Sequence, residues 1–558
     1  MLIIACGFGY VNPFHCLLCC ILEYMKKAHI WILLGILALG AFFRFYLIAE
    51  VPLGLYPDEA MNGNNALEAL ATGDFKIFYP ENNGREGLFI NIQALSVATF
   101  GNTPWALRIV SALFGTLTIA GVYLAAREIF QRRGPALLAA FFIATSYWHI
   151  NFSRIGFRAI MVPFCATFAL YFLLKGLRRG STLDIALAGI FTGLGLHTYI
   201  AFRLMAPVFA LPLVWYLWQW KKARDRTQSG CAPCAVALYA FIVFVVVLPL
   251  IIHFAQNPLD FSDRANGVSV FAAASPPKAF AKSTALTLQM FFFSGDCNWR
   301  HNFNCAPQLH PIVALFLLVG IIALWRLNLH RWKKAVLATW VICMAFPAAL
   351  TREGIPHALR TIGMIPPLVL LAGLGADRVC VGVGQWIEKE KACWPQYTGQ
   401  LGRLRYELLF LFVLVLLAVP FMTYRAYFLH WSNHPKTYEA FDTSNYHMGQ
   451  YLAGLPKEIK KYVVVNARGV DVRGIPMPSQ TVMFVTDSFT PAGQSAADIH
   501  YIVVEPGHAP LPAEITSAEK TVIAFIDGAD IPGITASQAV LPTFRLQVPG
   551  DFVILQNF

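Results

Sequence analysis

The segment Tyr56-Pro57-Asp58-Glu59-Ala60 sets two carboxylates side by side a few residues beyond the first strong apolar run of the chain. Pro57 ahead of Asp58 and Glu59 predicts a helix N-terminus with acidic groups in its first turn. Such a pair could do no more than cap that helix. Anchored just above a membrane, however, it could take a proton from an acceptor hydroxyl or amine. If the electrophile is a glycosyl phosphate presented at that height by a lipid carrier, the leaving phosphate also needs cations close by.

Cations recur in four other short segments. Arg85 and Glu86 lie in Asn83-Gly84-Arg85-Glu86-Gly87, and Arg154 and Arg158 in Ser153-Arg154-Ile155-Gly156-Phe157-Arg158. His197, Tyr199 and Arg203 share one turn, while Arg352, Glu353, His357 and Arg360 share another. Arginine suits a phosphate because its planar fork makes paired hydrogen bonds. A structural role competes at each position, as an ion pair between helices or as a side chain reaching for lipid headgroups. Glu86 and Glu353 are natural partners for neighbouring arginines, and a histidine placed like His197 or His357 is more often a hydrogen-bonded interfacial residue than a ligand. Asn62, Asn64, Asn65 and Glu68 follow the acidic pair on the same helix and could bind sugar hydroxyls or face water. Asp260, Asp263, Arg264 and Asp296 read as loop-solvating or structural. The sequence contains no Walker loop, GxSxG or HExxH pattern, which argues against several soluble-type chemistries.

The elements that must position these residues are membrane helices. The 558 residues are 57% hydrophobic and 13% charged, with mean hydropathy +0.55, against about 25% charged in soluble domains. So few charges cannot coat a water-soluble body of this size. The apolar runs do not alternate, so helices are favoured over a barrel. About eleven spans are expected, near 28–48, 105–126, 135–150, 158–176, 183–199, 204–220, 235–254, 309–325, 335–350, 359–376 and 407–425. Residues 88–100 are apolar but short, and read as a re-entrant or interfacial helix.

Lys and Arg concentrate in alternate loops, including Arg127, Arg132 and Arg133, then Lys175, Arg178 and Arg179, then Arg331, Lys333 and Lys334. That bias puts the N-terminus inside. The loops holding Asp58, Arg85, Arg158, Arg203 and Arg360 fall outside, together with the C-terminus. The net charge of +12 is therefore a membrane feature, and no nucleic-acid partner is expected.

The expected organisation is a transmembrane domain over 25–428, with its first outer loop at about 49–104, and an extracytoplasmic α/β domain over 429–558. The latter is read from short β-like runs at 462–465, 501–504, 522–525 and 552–555. Residues 1–24 read as a start-site artefact ahead of Met25, or as an extra apolar segment. Of twelve cysteines, Cys297 and Cys305 share an outer loop where they could pair. Cys231 and Cys234 form a lone CxxC with no second pair to complete a metal site.

The first span ending in Arg44, the Pro57-Asp58-Glu59 loop, and Arg85-Glu86 ahead of an apolar helix together resemble glycosyltransferase family 39 and its relatives. These include the protein O-mannosyltransferases and the lipid A aminoarabinose transferases. The Arg154/Arg158 and His197–Arg203 turns are similar to those of bacterial and archaeal members, and the likeness covers about residues 28–380. The resemblance implies a GT-C fold and a glycosyltransferase that moves a sugar from a polyprenyl-phosphate donor to an extracytoplasmic lipid, glycan or protein acceptor, with inversion. The setting it implies is the cytoplasmic (inner) membrane. Asp58 would be the base or acceptor-positioning group, with Glu59 its companion. Arg85, Arg158, Arg203 and Arg360 would bind the donor phosphate, and Glu86, Arg154, His197, Tyr199, Arg352 and His357 would contact substrate. The loop reads Asp58-Glu59 rather than Asp-x-Asp, so no metal and no other cofactor is expected to be required. The chain lacks an evident central domain of mannosyltransferase size, which weakens the case for a protein acceptor. The competing reading is a transporter or flippase of a lipid-linked glycan, which would place ionisable residues at mid-span and show internal repeats.

Overall fold

A computed structural model of the chain describes residues 13–222, 231–261, 269–507, 515 and 519–558. Of the segment 1–24, residues 1–12 lie outside the described residues and the rest belongs to the first helix; Asp263 and Arg264 also lie outside them. Continuous apolar sequence folds here as helix because each backbone polar group then finds its partner within the segment. The first helices are α1 (Pro13–Phe45), α2 (Pro57–Thr72), α3 (Leu88–Phe100), α4 (Pro104–Phe130) and α5 (Arg133–Ala144). They are followed by α6 (Tyr147–Phe152), α7 (Met161–Arg179), α8 (Thr182–Leu196), α9 (Ala206–Lys222) and α10 (Ala232–Gln256).

Seven helices among the described residues are long and apolar enough to cross a membrane: Ala28–Phe45, Pro104–Phe130, Arg158–Arg179, Ile200–Lys222, Ala232–Gln256, Ile362–Cys393 and Pro395–Trp431. The other four expected spans are helices at the expected places that do not meet this description. Three of them, α5, α8 and Pro311–Arg326, have 12, 15 and 16 residues. At 1.5 Å per residue these reach about 18–24 Å, short of a hydrocarbon core of about 30 Å. The fourth, Arg331–Ala349, opens on Arg-Trp-Lys-Lys. The short helices survive by packing inside the bundle: Pro311–Arg326 crosses Ile365–Cys393 where a side chain at Gly320 or Gly375 would strike the opposing carbonyls of Leu371 and Phe316.

Helix ends inside such a bundle leave carbonyls without partners, and buried arginines fill them. Arg154 donates to the carbonyls of Phe43, Arg44, Leu47 and Val51, at 2.8–3.2 Å, where α1 unwinds. Arg44 reaches the carbonyls of Ile143 and Ala144 at the end of α5, each at 3.1 Å, and Nδ1 of His149 at 2.7 Å. Arg154, expected from the sequence to contact substrate, here fastens the exit of the first span through these four carbonyls.

Glu59 is also turned inward. It is fully buried, and its carboxylate accepts Nε and Nη2 of Arg108 at 3.0 and 3.2 Å and the Gly156 amide at 2.7 Å. Arg108 continues to the carbonyls of Pro52 and Gly54 at 2.6 and 2.8 Å. One ion pair therefore ties α4, the approach to α2 and the turn before Arg158 into a single body.

After the last long helix the chain forms a mixed five-stranded sheet. Its strands are β3 (Lys460–Val465), β6 (Ile499–Val503), β7 (Thr521–Phe525), β8 (Arg545–Gln547) and β9 (Val553–Gln556), ordered β6-β3-β7-β9-β8. β3 runs parallel to β6 and β7, and β9 is antiparallel to β7 and β8. This unit docks on α2: the Phe484 ring presses on Gly63, and Asn64 donates to the Gln480 carbonyl and side chain at 3.1 and 2.9 Å.

Removing one partner of a buried ion pair strands the other, at a cost of about 3–5 kcal/mol. Glu59→Gln is accordingly expected to lower the thermal midpoint of the detergent-solubilised protein by several degrees, whereas Asp58→Asn leaves it unchanged. Equal midpoints for the two variants, read by intrinsic fluorescence, would remove Glu59 from this structural role.

Candidate active site

The start of α2 follows from its residues. Tyr56 is extended, with φ −67° and ψ 141°, Pro57 opens the helix, and Asp58 and Glu59 occupy the first turn without capping it through a side chain. Consecutive helical residues project about 100° apart. Asp58 therefore faces outward when Glu59 faces the core, and Asn62 and Asn65 follow Asp58 on the same face, four and seven residues on.

Opposite this face stands a small hairpin of β1 (Phe78–Tyr79) and β2 (Arg85–Glu86). Its turn runs through Asn82, Asn83 and Gly84, with φ of 53°, 62° and 77°. Asn and Gly are the residues that best tolerate this left-handed run. The turn brings the Asn82 amide to Oδ1 of Asp58 at 2.6 Å. Arg85 points back across the hairpin, donating to the side-chain oxygens of Asn62 and Asn65 at 2.7 and 2.5 Å.

The third wall comes from the turn after α6. Arg158 donates to Glu86 at 2.9 Å and to the Gly84 carbonyl at 3.4 Å, and its guanidinium lies 5.5 Å from the Tyr199 ring. Asp58, Asn62, Asn82, Arg85, Arg158 and Tyr199 line one cavity of about 170 Å³, with Asn83, Phe157, Ala159 and Leu359 completing it. Arg203 stands at the margin, 4.0 Å from Glu86 and stacked 4.3 Å from the Phe261 ring. Three guanidiniums thus gather around two carboxylates, Asp58 and Glu86. A second cavity, lined by Tyr147, Phe303, Gln308, Val369 and Met422 among others, is mostly apolar and shares no residue with the first.

Several residues singled out in the sequence lie elsewhere. Glu59 and Arg154 are buried in the contacts described above and do not line this cavity. His197 bonds the Val246 carbonyl at 2.9 Å and joins α8 to α10. Arg352 is half-exposed beside Glu353 and donates to the Ala272 carbonyl at 2.9 Å. Arg360 donates to Thr351 and to the Glu353 carbonyl, both at 2.8 Å, and His357 packs on the His301 ring at 4.9 Å. The segment 351–360 contributes Leu359, not a cation, to the cavity.

Asn82 and Asn83 escaped the sequence reading as site residues. The run Asn82-Asn83-Gly84 is a strong turn signal and could have pointed to them. Arg300 was missed as well. Its guanidinium lies 3.8 Å from the Tyr56 ring, on a loop closed by the Cys297–Cys305 disulfide. Burial and then the Asp58 charge raise the Tyr56 phenol above its ordinary pKa, with Arg300 opposing. Cys231 and Cys234 are bonded to each other.

Residues 88–253 match the family described as dolichyl-phosphate-mannose-protein mannosyltransferase. No curated protein sequence matches the chain. The structure is similar to that of ArnT from Cupriavidus metallidurans bound to undecaprenyl phosphate, with TM-score 0.57 and 15% identity over 95% of this chain and 98% of that one. The apo state of ArnT gives TM-score 0.55 and 15% identity over 96% and 98%. The oligosaccharyltransferase AglB from Archaeoglobus fulgidus, in complex with an inhibitory peptide and a dolichol-phosphate, gives 0.52 and 14% over 90% and 70%. The likeness to ArnT runs nearly end to end and includes the C-terminal unit, so the sheet after the last span is part of a shared architecture. The chain has the GT-C fold of these membrane glycosyltransferases, and over residues 88–253 it carries the sequence pattern of the dolichyl-phosphate-mannose-protein mannosyltransferase family.

Proposed function

We propose that this chain is a glycosyltransferase that moves a sugar from a polyprenyl-phosphate donor to an acceptor on the extracytoplasmic side of the inner membrane, with inversion. The observation that carries this reading is the single cavity in which the Asp58 carboxylate, Arg85 and Arg158 meet. The polyprenyl phosphate bound by ArnT and the dolichol-phosphate bound by AglB support the donor class. The Lys- and Arg-rich loops lie at the opposite ends of the spans, which supports the outward orientation.

In this mechanism the acceptor enters beside Asp58, and its proton passes to the carboxylate as the acceptor oxygen or nitrogen bonds to the anomeric carbon. The bond from that carbon to the donor phosphate breaks, and its electron pair leaves with the polyprenyl phosphate. Arg85 and Arg158, with Arg203 flanking, stabilise the charge that develops there. Asn82 holds the Asp58 carboxylate in orientation. Glu86 keeps Arg158 placed between turnovers, and Tyr199 shields the face of its guanidinium. Guanidiniums here take the part that a metal ion could otherwise play at the leaving group, and no nucleotide is called for.

Transfer from a panel of radiolabelled polyprenyl-phosphate sugars by the purified protein tests the reading. Asp58→Asn is expected to lose about 100-fold or more in kcat at unchanged thermal midpoint; full activity in that variant would overturn the assignment of Asp58, and the absence of transfer from every donor would favour transport. Arg158→Gln is expected to lower kcat/KM for the donor by about 10–100-fold, or about 1.4–2.7 kcal/mol. An unchanged donor kcat/KM would leave Arg158 as a partner of Glu86 alone.

A further inference from the structure

The loop from Gly295 to Gln308 is more rigidly built than the proposed reaction needs. The Gly295 amide donates to the Cys305 carbonyl at 2.9 Å, the Cys297–Cys305 disulfide closes the loop, and Asn302 bonds the carbonyls of Asp296 and Ala306 at 3.0 and 2.7 Å. Inside this frame lies the Asp296 carboxylate, only 3% exposed. One of its oxygens accepts the Asn298 amide at 2.8 Å. The other accepts the Ala358 amide at 2.8 Å and meets Nδ1 of His301 at 2.8 Å. His301 is itself buried, between the rings of Phe152 and His357 at 5.4 and 4.9 Å. Asp296, His301 and His357 each offer a ligand atom within 4.8 Å of the others.

We propose that Asp296, His301 and His357 form a binding site for a zinc ion, set apart from the reaction centre. Two imidazoles and one carboxylate are a borderline donor set that suits Zn²⁺ in tetrahedral geometry, with a water in the fourth position. Ligand atoms around zinc at about 2.0–2.2 Å lie about 3.3 Å from one another, so small side-chain rotations bring these three onto an ion. The Asn298 and Ala358 amides orient the carboxylate in the way that outer partners fix metal ligands. None of the three residues lines the cavity around Asp58, so the ion takes no part in bond making.

Its place explains what it does. His301 follows Arg300, whose guanidinium lies over Tyr56 at 3.8 Å, and His357 lies two residues before Leu359, a lining residue of the cavity. The Ala358 and Asp296 backbones come from segments 62 residues apart in the chain. The ion cross-links them and holds two margins of the site at a fixed spacing. The competing account is an aspartate–histidine hydrogen bond with no ion.

The test is metal content of the full-length protein purified in detergent without chelator. About one zinc per chain is expected in the wild type, falling below about a tenth in His301→Gln and in His357→Gln. After chelation, cobalt should restore binding with visible ligand-field absorption, and chelation should lower the wild-type thermal midpoint until zinc is returned, a measurement that needs no variant to fold. Wild-type protein that carries no zinc and takes up neither zinc nor cobalt overturns the proposal. So does full zinc content in both histidine variants, or a midpoint indifferent to chelation. None of these readouts uses sugar transfer, so they stand or fall apart from the proposed reaction.

Discussion

Arg154 donates to four backbone carbonyls where the first span ends, and the geometry of the site depends on that contact. A helix that stops inside an apolar bundle must dispose of its last carbonyls, because no water is at hand to take them. One guanidinium does so for α1 and thereby sets where the chain may turn. Two residues further on, the Gly156 amide takes the Glu59 carboxylate at 2.7 Å, and Arg108 binds the same carboxylate and the carbonyls of Pro52 and Gly54. Buried charge, backbone and helix ends form one connected network. The position of Asp58 above α1 is its outcome.

Against this fixed frame the cavity keeps a balance of opposite charges close together. Arg158 and Glu86 are paired at 2.9 Å, with exposures of 10% and 3%. A buried pair gains little over an apolar packing of equal volume, so its value here is placement rather than stability. It places a guanidinium beside Tyr199, while the Asp58 carboxylate accepts from the neutral Asn82 amide. For the base role proposed for Asp58, a neighbour must orient the carboxylate without neutralising it, and an amide meets that requirement where a cation would not.

The fold was legible in the sequence wherever composition acts over many residues at once. The spans, the short helix at 88–100 and the four β-like runs after residue 460 are set by apolar stretches that have few alternatives in a membrane or a sheet. Helix length was less legible, because α5 and α8 are apolar enough to read as spans yet end early in the packed interior. At the site, Pro57 marked the helix start and so found Asp58. Direction was not legible. Asp58 and Glu59 differ by one step of a helix, and only Arg108, hidden in an apolar span, decides which turns inward. Arg154 and Arg158 differ by four residues in an irregular turn where no periodicity assigns faces. Arg360 was a candidate for the donor phosphate because it is an arginine on the outer face, but its guanidinium is engaged by Thr351 and the Glu353 carbonyl, and Leu359 rather than Arg360 lines the cavity.

The hairpin of β4 (Asp471–Val472) and β5 (Ile475–Pro476) carries Arg473 at its tip, bonded to Glu68 at 2.8 and 2.9 Å and to Glu81 at 2.7 Å. Glu81 adjoins Asn82, the partner of Asp58. The two ends of the Arg473–Glu81 contact are 392 residues apart in the chain, so a ribosome makes the loop long before the residue that clasps it from outside. Every candidate span precedes that arginine in the chain. The outer wall of the cavity therefore gains its clasp only after every span has been made, and a chain interrupted before residue 473 would lack the arginine that ties Glu68 to Glu81.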